Sequence, residues 1–340
     1  MNKSNVDVSV LILFFNRPDT LSKLFEVIRR VRPSRLFLYQ DGARNESDLP
    51  QMKQCRSIVE NIDWECDVHR KYQEKNYGCD PSNFMSQRWA FSLTDKCIVL
   101  EDDDVPSDTF FTFCKEMLDR YEDDERVVMI NGFNTDEVTK YAKSDYFFTR
   151  AFSVLGWASW ARVVNNWEEH YDFLDRKGDV DCLQRMINKH HLKPDMLRIA
   201  QQHKASGKAF YESIAWAYMN LHDGLAIMPR VNMIANLSFE GNDSTHYSDL
   251  RLECMPRSIR RQFTMKTYDL QWPLNHPAEI VEDSSYNIRV RKRNAWGYPL
   301  IKVMHSFEEL YLNTIHGNFH YIWKMAKNRL SIIISGKKYR

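Results

Sequence analysis

The run Val8-Ser-Val-Leu-Ile-Leu-Phe-Phe15 leaves this chain few choices of fold. It is apolar over almost the whole length of a strand. That suits a strand buried on both faces, as in a parallel sheet covered by helices. Asn16-Arg17-Pro18-Asp19-Thr20 breaks the run, and Pro and Asp are suited to a helix start. Leu21, Leu24, Phe25 and Ile28 then fall at i, i+3, i+4 and i+7, one face of an amphipathic helix.

The unit repeats. A second strand, Arg35 to Gln40, ends on Asp41-Gly42, and helical spacing returns around Met52 to Ile62. Cys66 to Tyr72 reads as a strand, Pro81 to Leu93 as a helix, and Lys96 to Leu100 as the next strand. Phe110, Cys114, Met117, Leu118 and Tyr121 mark another helical stripe before the strand Arg126 to Ile130. This alternation predicts an α/β fold with a mainly parallel sheet flanked by helices.

In such sheets ligands bind beyond the carboxyl ends of the strands. Three independent strands deliver polar groups there: Asn16-Arg17, Asp41, and the four acids Glu101, Asp102, Asp103 and Asp104. The acids can be a solvated strand end favouring the following helix N-terminus, with Ser107 or Asp108 as cap. That explains one or two of them. The other reading is a divalent cation held by carboxylate oxygen, with phosphates and waters completing its shell. Along an extended chain Glu101 and Asp103 share one face, and Asp102 and Asp104 the other. Arg17 ends either a simple turn or a phosphate site, since its planar fork suits bidentate contacts. Asp41 taken alone caps a turn with Gly42.

Beyond residue 145 the alternation fades. Tyr146 to Arg150 looks like a strand, followed by Leu155-Gly-Trp-Ala-Ser-Trp160, a polar helical region over 165–205, and Tyr211-Glu212-Ser213 before more helical residues. Trp157 and Trp160 are either core or a platform for the apolar face of a sugar. Glu212 is either an ordinary acid at a helix start or a general base with a pKa raised by partial burial. His190-His191 read as a solvated helix face. An appended, mostly helical region, 251–340, follows a first unit of 1–250.

The chain has 47 Lys and Arg against 46 Asp and Glu, so its bulk charge names no polyanion and no nucleic-acid partner. Its seven cysteines contain no C-x-x-C pair, which indicates neither a zinc ribbon nor a disulfide framework. The N-terminus lacks a signal-peptide core and no apolar run is long enough to span a bilayer, so the expected location is cytoplasmic. The end of the chain departs from the balanced average. From Leu310 onward there is no acid, while Lys324, Lys327, Arg329, Lys337, Lys338 and Arg340 are basic among apolar residues. Such an end suits either peripheral contact with an anionic membrane or a core-docked helix with a solvated tail.

Together these motifs resemble the GT-A glycosyltransferase fold, Rossmann-like in its sheet. The nearer resemblance is to bacterial nucleotide-diphospho-sugar transferases related to N-acetylglucosaminyltransferase I. It covers roughly residues 6 to 250 and is carried by Leu13-Phe-Phe-Asn-Arg-Pro18, Leu38-Tyr-Gln-Asp-Gly42, Lys75-Asn-Tyr-Gly-Cys79 and Val99-Leu-Glu-Asp-Asp-Asp104. Tyr146-Phe-Phe-Thr-Arg150 with Gly156-Trp-Ala-Ser-Trp160 continues it, as do Pro229-Arg-Val-Asn232, Asn236-Leu-Ser-Phe239 and Ser244-Thr-His246.

The resemblance implies a set of roles. Arg17, beside Asn16, would contact donor phosphates, Asp41 the uracil, Glu101 a sugar hydroxyl, Asp102 the ribose, and Asp103 a Mn or Mg ion. Trp157 would wall the donor and acceptor site, Glu212 would be the catalytic base, and His246 would order over nucleotide. Asp104 and the Tyr-Glu-Ser around Glu212 depart from the family pattern, leaving helix capping as the default for Asp104. The implied activity is metal-dependent, inverting transfer of a sugar from a UDP-sugar to a hydroxyl of a surface glycan. Lipopolysaccharide or capsule is the implied kind of acceptor, free or lipid-linked. The competing expectations are a sugar-phosphate nucleotidyltransferase, against which the Gly-free Asn-Arg-Pro turn counts, and a nucleotide-sugar binder without chemistry.

Overall fold

The computed structural model describes residue 3 and the spans 5–239 and 250–335, with side chains to 327. The chain begins with β1 (Val6–Phe14), α1 (Pro18–Val31), β2 (Pro33–Gln40), α2 (Leu49–Val59), β3 (Asp67–Tyr72), α3 (Cys79–Phe91) and β4 (Lys96–Glu101). A short β5 (Asp104–Pro106), α4 (Thr109–Arg120), β6 (Val127–Asn131), β7 (Tyr146–Thr149) and β8 (Trp157–Trp160) follow. Then come α5 (Ala161–Val164), α6 (Lys177–Lys189), α7 (Met196–Ser206), α8 (Tyr211–Leu221), β9 (Leu225–Pro229) and β10 (Ile234–Asn236). The chain closes with α9 (Arg257–Arg260), α10 (Ser284–Arg293), α11 (Pro299–Ile315) and α12 (Phe319–Ser335).

The strand–helix alternation emerges as the sequence predicts. Pro18 opens α1, where a missing N–H costs nothing, and Leu21, Leu24, Phe25 and Ile28 form its buried face. Eight strands make one sheet in the order β3-β2-β1-β4-β8-β6-β9-β7. β3, β2, β1 and β4 are mutually parallel, whereas β8 and β7 run antiparallel to their neighbours. The sheet is therefore mixed, with its parallel block beneath the polar strand ends. The sequence reading missed β8, because a four-residue antiparallel strand buried on both faces has no period of its own.

Register sets up the site. Phe14 pairs with Gln40 on one side of β1, and Leu13 with Glu101 on the other. Asn16-Arg17, Asp41 and Glu101 thus leave the sheet at one level. Antiparallel β8 brings Gly156 to the same edge, since Trp157 lies opposite Val99.

The region after residue 250 is packed onto this sheet. Met265, Leu270 and Leu274 join the main core. Asn287 Oδ1 of α10 accepts from Thr149 Oγ1 at 2.6 Å and from Ala151 N at 2.9 Å, and Tyr286 packs on Phe147 with ring centroids 5.1 Å apart. This part of the C-terminal region is thus a docked wall on the β7 edge. Among the described residues no helix is long and apolar enough to cross a membrane.

Candidate active site

A cavity of about 730 Å3 opens over the ends of β1, β2 and β4. Asn16, Arg17, Asp41, Glu101, Asp102, Asp103 and Glu212 all line it, so residues from four separate elements meet there. His246 lies outside the described residues.

Arg17 sits at the centre of the charge balance. Its Nη2 bonds Asp102 Oδ1, and its Nη1 donates to Asp103 Oδ2 at 3.0 Å. Burial opposes the charged guanidinium, but the two aspartates outweigh it and hold its pKa above the ordinary arginine range. Asp102 Oδ2 also accepts from Phe15 N at 3.2 Å. Asp102 is nonetheless pushed up to about 6, by burial first and by Asp103 against the pull of Arg17.

The four acids do not keep the alternation of an extended chain. The chain turns at Asp102-Asp103, and β5 pairs with β10 so that Asp104 lies opposite Asn236. Asp103 O accepts from Leu237 N at 2.8 Å and Asp103 Oδ2 from Ser238 Oγ at 2.9 Å. Three acids consequently face the cavity, and Asp104 is buried behind them. Helix capping is not its role: the N-cap of α4 is Asp108, which makes no capping bond, and Ser107 Oγ has no partner among the described residues. Asp104 Oδ2 instead accepts from Gly156 N at 3.0 Å and Glu101 N at 3.3 Å, fastening β8 to the acidic turn. Burial, then Asp103, raises its pKa well above the usual carboxylate value.

Glu101 accepts no side-chain hydrogen bond from the described residues and is half-buried. Burial, then Asp103, Asp104 and Glu212, pushes it well up. Glu212 stands in the first turn of α8, where the helix dipole favours an anion. Burial, helped by Asp80, overrides that preference and raises it to about 7. Cys79 reports the same crowding: burial first, then Glu101, Asp80 and Glu212, lifts its thiol to about 12.

Three expected contacts take a different form. Asp41 has little acceptor capacity left for a base: Oδ1 receives Gly42 N at 2.9 Å and Tyr77 N at 3.0 Å, while Oδ2 receives Gly78 N at 2.9 Å and Asn76 Nδ2 at 3.0 Å. Its carboxylate holds the loop that walls the cavity. Asn16 is likewise committed, with Nδ2 donating to Asp48 Oδ1 at 3.0 Å. Trp157 is a correction. It is fully buried in the core, stacked between Phe91 and Tyr211 at 6.4 and 6.2 Å, and lies beneath the site instead of walling it.

Sequence reasoning missed several lining residues. Ser238 stands out in the sequence only as part of the run Asn236-Leu-Ser-Phe239. Lys193, between α6 and α7, and Arg291 and Trp296, in and just after α10, lie far along the chain from the polar strand ends at 16–17, 41 and 101–104. Lys193 Nζ sits 5.2 Å from the Trp296 ring, and neither Lys193 nor Arg291 is ion-paired among the described residues. The Arg-Val-Arg-Lys-Arg run at 289–293 was the only signal available for that wall.

Carboxylate oxygen is the kind of donor a divalent cation takes, and Asp103 is the candidate to supply it. Oδ1 of Asp103 accepts no hydrogen bond from the described residues, and the acids outnumber the single arginine inserted among them. No group of three or more His, Cys, Asp or Glu among the described residues is arranged to hold an ion unaided. An ion here would take oxygens from its ligand as well as from Asp103.

No family model matches the sequence, and no curated protein matches it. Among solved structures the chain is similar to mouse xyloside xylosyltransferase 1 in its apo form, at 12% identity and a TM-score of 0.35 over 63% of this chain and 81% of that one. It is also similar to 4-diphosphocytidyl-2C-methyl-D-erythritol synthase from Anaerococcus prevotii, at 10% identity and 0.29 over 49% and 74% of the two chains. A mycobacterial protein follows at 11% and 0.29, over 46% of this chain and 54% of that one. Likenesses this distant carry no weight on chemistry, which rests on the site itself.

Proposed function

We propose that this protein is a metal-dependent glycosyltransferase of the GT-A type, moving a sugar from a UDP-sugar to a hydroxyl of a surface-glycan acceptor with inversion. The observation that supports this most directly is the pairing, across one cavity, of the Arg17–Asp102–Asp103 triad with Glu212 raised to about 7. A phosphate-seeking cation among acids and a carboxylate poised near neutral pH are the two halves that sugar transfer needs.

In this reading Glu212 takes the proton of the acceptor hydroxyl as its oxygen bonds to the anomeric carbon. The bond from that carbon to the diphosphate oxygen breaks, and its electron pair leaves on the nucleoside diphosphate. A base titrating near the working pH is best placed to accept that proton. Glu101, whose carboxylate accepts no side-chain hydrogen bond among the described residues, receives a donor-sugar hydroxyl. Arg17 turns its fork from Asp102 and Asp103 toward the diphosphate. A Mn or Mg ion held by Asp103 would offset charge on the departing diphosphate. Lys193, Arg291 and Trp296, which line the same cavity, receive the acceptor in this reading.

The test is a thermal-shift panel of nucleotide sugars with and without Mn, followed by assay of donor hydrolysis in Mn. Stabilisation by UDP-sugars that depends on Mn and is lost in Asp103→Ala is the expected result, because binding to the native state alone raises the melting temperature. A Mn-independent response, or wild-type hydrolysis by Asp103→Ala, would remove the reading. Pyrophosphate release from a sugar phosphate and a nucleoside triphosphate would replace it with a nucleotidyltransferase.

A further inference from the structure

The C-terminal helix α11 is anchored on one side and bare on the other. Leu312 and Asn313 are buried; His305 Nε2 lies 2.9 Å from Ser258 Oγ, and Glu309 Oε1 accepts from Tyr321 at 2.7 Å. The opposite face carries Leu300, Val303, Met304, Phe307, Leu310 and Tyr311, at i, i+3, i+4, i+7, i+10 and i+11. All six are exposed, Leu300 at 79%, Met304 at 68% and Phe307 at 69%. Single exposed apolar residues need no explanation, but a continuous helical stripe of large ones does. On α12, Phe319 and Trp323 are exposed as well, one turn apart.

We propose that this face of α11 docks the protein onto an anionic lipid bilayer. Charge selects that occupant. From residue 284 to the end of the sequence there are eleven Lys and Arg, of which Arg289 and Arg293 pair with Asp136, and only two acids, Glu308 and Glu309. Both acids are engaged, Glu308 with Arg257 and Glu309 with Tyr321. A second copy of this chain would bring two such basic regions together, which like-charge repulsion disfavours. A lipid surface supplies the missing negative charge and accepts the apolar stripe to headgroup depth, where Phe, Tyr and Trp side chains are at home. The seventeen residues of α11 lie along the surface and do not span it. The inference is independent of the transferase reading.

The full-length protein is tested by co-sedimentation with vesicles of phosphatidylcholine alone and of phosphatidylcholine mixed with phosphatidylglycerol, at low and high salt. Binding to the anionic vesicles only, weakened by salt, is expected. Met304→Asp and Phe307→Asp, at exposed positions that do not line the cavity, should each weaken that binding about tenfold or more while leaving the melting temperature unchanged. Absence of wild-type binding, or equal binding by the variants, overturns the proposal. So does a concentration-dependent dimer that Phe307→Asp abolishes without any vesicle binding, since the face would then be a self-association surface. Nucleotide-sugar thermal shifts on the same samples judge the transferase reading separately.

Discussion

Arg17 donates to Asp103 Oδ2 at 3.0 Å while its other terminal nitrogen bonds Asp102, so one guanidinium bridges two adjacent carboxylates that are themselves almost out of solvent. The fork spans carboxylates that would otherwise repel each other, and it does so where a cation and a diphosphate are proposed to bind. Removing it leaves two buried negative charges uncompensated. Arg17→Ala is expected to destabilise the fold by about 3–5 kcal/mol. Added Mn should recover more stability in this variant than in the wild type, and a chelator should abolish the recovery. Urea unfolding with and without the ion measures both.

Glu212→Gln separates catalysis from binding. The amide cannot take a proton, so transfer should fall by a factor of about 10² to 10⁴ while the UDP-sugar thermal shift survives. Unimpaired turnover would take Glu212 out of the base's role. In the wild type, transfer should rise with pH up to about 7, as the carboxylate ionises.

The same substitution has a pH signature in stability. A carboxylate raised in the folded state ionises more readily when unfolded, so the native protein binds more protons and loses stability as pH rises. For Glu212 that loss runs from its ordinary value of 4.5 up to about 7. Glu212→Gln should therefore gain stability over wild type across this window, reaching on the order of 1–3 kcal/mol by neutral pH. Melting curves of the pair at matched pH values provide the check; a constant difference would contradict the burial of Glu212.

Asp104 can be probed by what its oxygen accepts. Asp104→Ala orphans the buried N–H of Gly156, at a cost of about 1–3 kcal/mol. Asp104→Asn keeps an acceptor for that N–H and removes a carboxylate that burial already disfavours, so it should cost less than Asp104→Ala at neutral pH. Equal losses from both would show that the Gly156 bond is not what Asp104 supplies.

Gly42 is fixed by space. A Cβ there would stand 2.4 Å from the Lys75 carbonyl carbon and 2.8 Å from Asn76 N, both backbone atoms. Gly42→Ala must push back the 75–78 loop that Asp41 holds, costing about 1–3 kcal/mol. Nucleotide affinity, measured by calorimetry, should fall with it.

Much of this was legible in the chain before folding. The apolar run of β1, the helical stripe of α1 and the polar groups after β1, β2 and β4 follow from period and punctuation, which are local properties. A parallel block with its site at the carboxyl ends follows in turn, because parallel neighbours aim their ends the same way. The division of labour among the four acids was not legible. It depends on a turn at Asp102-Asp103 and on pairing with β10, some 130 residues away, which buries Asp104 and exposes its neighbours to the cavity. Nor could sequence show Trp157 sealed between Phe91 and Tyr211, the Lys193–Arg291–Trp296 wall, or the bare side of α11. Residue type and spacing fix which groups are present and on which strand end. Desolvation, which raises Glu212 to about 7 and opposes the charge that Asp102 and Asp103 hold on Arg17, exists only once distant segments have excluded the water.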